Sequence, residues 1–154
     1  LNLIDFYNKE LAKVEWYIKS HAKQHRATDF NLLKTIKGVG DILALTILYE
    51  IGDITRFESV QKFASYSRLV KCKAESAGKT YGTQGNKIGS AHLKWVFSEA
   101  AVLFLRNNES AKRYIKNLEK RKPKSKALSA LAHKLGRAIY YMLKTRRYLI
   151  LTNL

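Results

Sequence analysis

The chain is short of cysteine, proline and acid, and each shortage excludes something. A single cysteine, Cys72, cannot close an internal disulfide, which excludes a disulfide-stapled secreted domain and suits a reducing compartment. One proline, Pro123, in 154 residues leaves helices uninterrupted and argues against a low-complexity tail. No long hydrophobic run exists: the longest, Ile42 to Tyr49, is broken by Thr46 and falls far below the ~18 apolar residues a membrane span needs. No signal peptide is visible. The chain starts at Leu1 without a Met and is expected to be part of something longer. No Walker loop, dinucleotide fingerprint or Gly-x-Ser-x-Gly elbow occurs. The carboxylates are scattered, with no acid-x-acid pair, so the chain holds no complete two-metal nuclease site. One Cys and four dispersed His give no zinc site.

What is present is positive charge. Twenty-nine Lys and Arg face 12 Asp and Glu, a net of +17, which points to a polyanion: nucleic acid or an acidic membrane surface. The excess is not uniform. Arg106 to Arg147 carries 14 basic residues and two acids, whereas Asp29 to Glu58 carries three basic residues and five acids. A solvated, solubilising face needs only a modest net charge. Clustered cations are better explained by phosphate contact, which releases condensed counterions.

The patterning predicts an all-α fold. Over residues 1–27, Ile4, Tyr7, Leu11, Val14, Ile18, His21 and His25 recur at spacings of three and four, a coiled-coil seam that either docks on its own domain or pairs with a second chain. His21 and His25 could share a metal by spacing, but they lack carboxylate or thiol neighbours. Residues 30–52 read as helix, hairpin, helix. Leu32, Leu33 and Ile36 stop at Lys37-Gly38-Val39-Gly40, and a second apolar run from Ile42 ends at Gly52. Glycines there suit either close approach of a phosphate to the amides of the second helix, with Gly38 and Gly40 as contacts, or an ordinary tight turn. Ser59 and Ser90 are expected N-caps. The helix from Ala91 should be the central buried one, with His92 and Lys94 in its first turn, where an anion would bind. A basic helix over 109–120, a connector Lys120 to Lys124 and a last helix to about Arg147 follow, the last decorated by Lys134 and Arg137.

Between them, Lys71 to Gly89 has no apolar period and reads as a long loop, of the kind that is functional or disordered. It offers the hydroxyls of Ser76, Thr80, Tyr81 and Thr83 with Lys71, Lys73, Lys79 and Lys87 as phosphate partners. Such a hydroxyl could attack a phosphodiester or only hydrogen-bond one, and as a nucleophile it would need a base from elsewhere.

A succession of elements then becomes specific as a set: Ile36-Lys37-Gly38-Val39-Gly40, Glu50-Ile51-Gly52-Asp53-Ile54 with Arg56-Phe57, Phe63-Ala64-x-Tyr66, Glu75-Ser76-Ala77-Gly78-Lys79, and His92-Leu93-Lys94 with Glu99-Ala100-Ala101. In this order, over roughly residues 30–147, it resembles the C-terminal domain of the DEDD-type insertion-sequence transposases, the IS-one-ten family related to the Piv invertase. The resemblance implies a prokaryotic, DNA-associated cytoplasmic recombinase with a separate N-terminal RuvC-like domain that binds Mg²⁺ through four acids. It implies a coiled coil that contributes to dimerisation, here residues 1–27, a helical domain over 28–147 with a catalytic loop at 71–89, and a tail at 148–154. It further implies that Ser76 attacks DNA and forms a phosphoserine intermediate, and that a structured element RNA can take part. Lys79, Lys87, His92 and Lys94 would hold the scissile phosphate; no metal or cofactor is expected in this chain, which alone should be catalytically silent. The family's Gly-Leu-x-Pro and Ser-Gly are here Arg68-Leu69-Val70-Lys71 and Ser76-Ala77-Gly78, so Thr80 and Thr83 stand as alternative hydroxyls. The rival reading is a non-catalytic helix-hairpin-helix module for DNA or RNA; a membrane adaptor ranks last because the apolar helix faces look used in a core.

Overall fold

A computed structural model of the chain describes residues 2–70, 72–76, 79–84, 88–106 and 108–148, with side chains for 2–22, 24–70, 88–106 and 108–148. The described residues form α1 (Asn2–His25), α2 (Ala27–Lys34), α3 (Asp41–Ile51), a 3-10 turn (Ile54–Arg56), α4 (Val60–Tyr66), strands β1 (Cys72–Ser76) and β2 (Lys79–Gln84), α5 (Ala91–Phe104), α6 (Glu109–Glu119) and α7 (Lys124–Thr145). The packed body is all-α, as its 3.6-residue apolar periodicity requires.

The core lies between α5 and α7. Leu93, Val96, Phe97 and Ala100 of α5 and Leu131, Leu135 and Ile139 of α7 are all buried, so α5 is the central helix its circumference of apolar residues predicts. Phe63 of α4 sits edge-on to Phe97 at 6.1 Å and beside Tyr140 at 5.6 Å, a spacing at which aromatic pairs add to the gain from burial. Tyr140 is the polar intruder. Its ring is buried, its hydroxyl donates to the Phe57 carbonyl at 3.0 Å, and Lys144 Nζ donates to it at 2.9 Å. Ser59, Ser90 and Asn108 cap α4, α5 and α6 by accepting from the amides of Lys62, Leu93 and Ala111, and the first two match the sequence expectation.

The N-terminal arm is built differently. Ala22 is buried, but no described residue from Asn2 to Ser20 is; α1 touches the body only by its last turns. Arg26 fixes that joint. Its guanidinium donates to the carbonyls of Leu48, at 3.1 Å, and Gly52, and to Asp29 Oδ2 at 3.0 Å. The Leu48 carbonyl also accepts from the Gly52 amide at 3.1 Å, and a cation at the C-terminus of α3 complements the helix dipole.

One expectation needs correction. The stretch 71–89 is not a featureless loop: its described residues form an antiparallel hairpin in which Cys72 pairs with Gln84, Lys73 with Thr83, Glu75 with Thr80 and Ser76 with Lys79. The register shifts between Lys73 and Glu75. Two residues separate the innermost pair, the shortest common hairpin connection. Thr80, Tyr81 and Thr83 carry β-propensity that a search for helical periodicity misses.

Candidate nucleic-acid interface and its hairpin

The hairpin is clasped where it leaves the helical body. The Ser90 amide donates to the Tyr66 carbonyl at 2.8 Å, closing the gap between the end of α4 and the start of α5. Gly89 makes this possible: its φ is +98°, and a Cβ there would lie 2.3 Å from the Tyr66 oxygen, so no larger residue fits. Along the chain Cys72 and Gln84 are the paired residues next to this clasp, and Ser76 and Lys79 form the last pair of the ladder. Four residues at ~3.4 Å each put Ser76 roughly 13 Å from Cys72 along the strand.

The predicted site residues therefore fall into separate groups. Ser76 and Lys79 are partners at the hairpin end, and Thr80 pairs with Glu75 next to them. Lys87 lies outside the described residues. His92 and Lys94 are exposed in the first turn of α5, which begins at the clasp. There the Ser90 hydroxyl donates to Glu50 Oε2 at 2.7 Å, and Glu50 Oε1 lies 3.9 Å from His92 Nδ1. Sequence reasoning passed over Glu50 as a partner because it is 40 residues from Ser90, and only the packing of α3 against α5 joins them.

Gly38 and Gly40 prove to be different kinds of glycine. Gly38 has φ +85°, and a Cβ on it would come within 2.7 to 2.8 Å of Leu103 and Phe104 of α5. Its smallness serves contact inside the protein. Gly40 is the N-cap of α3 in extended backbone, with open space around it. The adjoining Asp41 carboxylate is held between two lysines, Lys19 of α1 and Lys34 of α2, the latter at 2.5 Å. Hydrogen bonds from Lys19 and then Lys34 lower its pKa to about 2. An intramolecular carboxylate thus already sits in the first turn of α3.

Lys134 and Arg137 belong to a third surface. Lys134 Nζ lies 4.7 Å from the Tyr114 ring centroid, a cation–π contact that ties α7 to α6. Arg137 is exposed; burial and then the nearby Arg137 charge lower the pKa of His133. The densest charge is at the α6–α7 junction, where Lys116, Lys120, Arg121, Lys122, Lys124 and Lys126 are all exposed. The first turn of α7 has no acid and no side-chain cap. Cations at the positive end of a helix dipole cost stability, so this arrangement is not one that folding alone favours. Among the described residues no three of His, Cys, Asp and Glu converge where a metal could be held, and no helix is long and apolar enough to cross a membrane.

Comparison with known proteins gives this geometry a context. The pattern of the family described as "Transposase IS116/IS110/IS902 family" matches residues 30–116, more than half of the chain. A "Probable family 20 transposase" of Pseudomonas aeruginosa is 23% identical over 137 residues, covering 86% of this chain and 40% of the relative. The "Transposase for insertion sequence element IS1111A" of Coxiella burnetii is 26% identical over 140 residues, covering 88% and 38%. The chain spans about two-fifths of the length of these curated relatives. With its helical body, its ordered motifs and this match, the chain belongs to the IS116/IS110/IS902 family of transposases.

Proposed function

We propose that this chain is the DNA-binding part of a transposase and that Ser76 is its nucleophile for strand cleavage and transfer. The observation that carries the reading is the hairpin, which holds Ser76 and Lys79 as cross-strand partners. In the reaction, the Ser76 Oγ–P bond forms as a P–O bond to deoxyribose breaks. The Oγ proton passes to a base outside this chain, and the departing oxygen takes a proton. Lys79 offsets charge on the phosphate at the hairpin end. His92 and Lys94, at the clasp, and the α6–α7 junction hold more distant backbone, as Lys134 and Arg137 do on α7. Mg²⁺, bound in a separate RuvC-like DEDD domain, would neutralise charge at the reacting phosphate. The complete enzyme self-associates through α1, acts on DNA in the prokaryotic cytoplasm and is open to a guide RNA encoded by its element.

The test uses the complete enzyme with labelled element-junction DNA, Mg²⁺ and element RNA on a denaturing gel. A protein–DNA adduct lost in Ser76→Ala supports the proposal. An adduct that survives moves the nucleophile to Thr80, Thr83 or another domain. The uncapped, lysine-rich start of α7 favours one second reading, a non-catalytic DNA or RNA module, in which Ser76→Ala leaves cleavage unchanged and only weakens binding slightly.

A further inference from the structure

α5 is the central helix, yet one side of it is open. Successive helical residues turn by about 100°, so Leu93, Val96, Phe97 and Ala100 face the core while His92, Lys94, Trp95, Ser98, Glu99 and Val102 face outward. Trp95 stands in the middle of the open side, 50% exposed. Of the exposed aromatic residues on the helices of the body, Tyr49 donates through its hydroxyl to the Ile18 carbonyl at 3.4 Å, and Tyr141 rests edge-on against Tyr140 at 5.3 Å. Trp95 has no ring, cation–π or hydrogen-bond partner among the described residues.

Exposure alone would not mark it, since single apolar residues are common on surfaces. Its neighbours do. One turn away on the same side stand Ala91 and Ser98, both small, and the Ser98 hydroxyl is turned back onto the Lys94 carbonyl at 2.8 Å. The indole is therefore not screened from within its own helix. His92, with its side chain 71% exposed, and Lys94 flank Trp95 on opposite sides. Glu99 follows one turn on, within reach of the ring. Helical side chains lean toward the N-terminus, so Trp95 lies over the turn of Ala91 and His92, and Glu99 leans back toward Trp95.

We propose that Trp95 stacks on an unpaired nucleobase of a single-stranded DNA or RNA segment. His92 and Lys94 hold the phosphates that flank this nucleotide, and Glu99 accepts from an exocyclic amine on the base edge. A nucleotide within a strand has a phosphate on each side of its sugar, which suits cations on both sides of the ring. The base must be unpaired, because in a duplex both its faces are covered by neighbouring pairs. Glu50 lies 3.9 Å from Nδ1 of His92, which leaves the Nε2 edge for phosphate. The helix end itself is already taken: the Ser90 hydroxyl accepts from the Leu93 amide and donates to Glu50. An acid weakens a site built for phosphate alone, but beside a stacked base it is an acceptor that favours cytosine over thymine. The site rests on the nucleic-acid-binding reading above and adds to it the state of the strand that is held. It is independent of the serine chemistry.

Trp95 is its own probe. Trp16→Phe leaves it the only tryptophan of the 154-residue chain. Its emission is titrated in low salt with oligodeoxycytidine of about 12 nucleotides, within the span of single-strand sites, with the RNA counterpart, with oligodeoxythymidine and with a duplex. Quenching is expected from oligodeoxycytidine or its RNA counterpart and not from the duplex, and the stronger of the two names the strand. Trp95→Ala should weaken binding of that strand about five- to a hundredfold in fluorescence anisotropy, the ratio supplied by one base–aromatic stack. Trp95→Phe should keep most of the affinity, and circular dichroism checks that both variants retain their helices. Equal quenching by the duplex, or an unchanged single-strand affinity in Trp95→Ala, overturns the stacking site. Equal affinity for oligodeoxycytidine and oligodeoxythymidine overturns the role of Glu99. Failure here is separable from failure of the reading beneath it. A chain that binds duplex while no single strand alters Trp95 emission loses the Trp95 site alone, and a chain that binds neither form loses both.

Discussion

Gly38→Ala should unfold this protein more readily while Gly40→Ala should not, although the two glycines share one short turn. At Gly38 an added Cβ meets main-chain atoms of Leu103 and Phe104 and the Leu103 Cβ at 2.7 to 2.8 Å, in backbone with φ +85°. The positive φ costs a residue with a Cβ about 1–2 kcal/mol, and overpacking against a neighbour that cannot swing aside costs about 1–3 kcal/mol more. A total of about 2–5 kcal/mol is a large part of the 5–15 kcal/mol typical of a folded domain. For a chain of this length, at about 2–4 °C per kcal/mol, it should lower the melting temperature by on the order of 10 °C. Gly40 has an ordinary φ of −85° and nothing within 4 Å of a new Cβ. Its replacement should cost no more than about 1 kcal/mol, the loss of an acceptable N-cap residue. Thermal unfolding followed by circular dichroism at 222 nm reads both. Equal melting temperatures for Gly38→Ala and the parent would refute the packing argument, and a loss of nucleic-acid affinity at unchanged stability would return Gly38 to a phosphate-binding role.

Two further outcomes follow from the charges. Asp41 has a folded pKa of about 2 against an ordinary 3.8, so its contribution is present above pH 4 and disappears as pH falls from about 4 to 2. Because Lys19 and Lys34 are each about 40% exposed, solvent screening limits this to about 1 kcal/mol or less. Asp41→Asn should flatten the acid limb of a stability-versus-pH curve by that amount, and an unaltered limb would show that the two lysines do not stabilise the folded carboxylate. At the α6–α7 junction, replacing Lys120, Arg121 and Lys122 with Gln should reduce the slope of log affinity against log salt for duplex DNA by about 0.9 for each phosphate no longer neutralised. An unchanged slope in fluorescence anisotropy titrations would place the DNA-binding surface elsewhere.

The helical plan was legible from residues 30–52, 59–66, 90–106 and 109–147 because each buries one face, and helical period reports that directly. Caps at Ser59 and Ser90 were readable for the same reason: the signal is local. The hairpin was not, since its strands are short and polar, and pairing between Ser76 and Lys79 or between Cys72 and Gln84 leaves no apolar alternation to detect. The candidate site was legible as residue types, and its division was not. Ser76 and His92 stand in one glycine-rich neighbourhood of the sequence, yet Ser76 is in the last pair of a strand ladder and His92 is in the first turn of α5.

By itself, the sequence determined the all-α class, the uneven charge, the seam of α1 and the ordered motifs that mark the family, because these depend on period, composition and order along the chain. Only the tertiary structure decided that Gly38 lies against α5, that Arg26 binds the end of α3, and that Glu50 reaches Ser90 and His92. Each of these joins residues far apart in the chain, and such contacts are set by how helices pack, which local patterning does not encode.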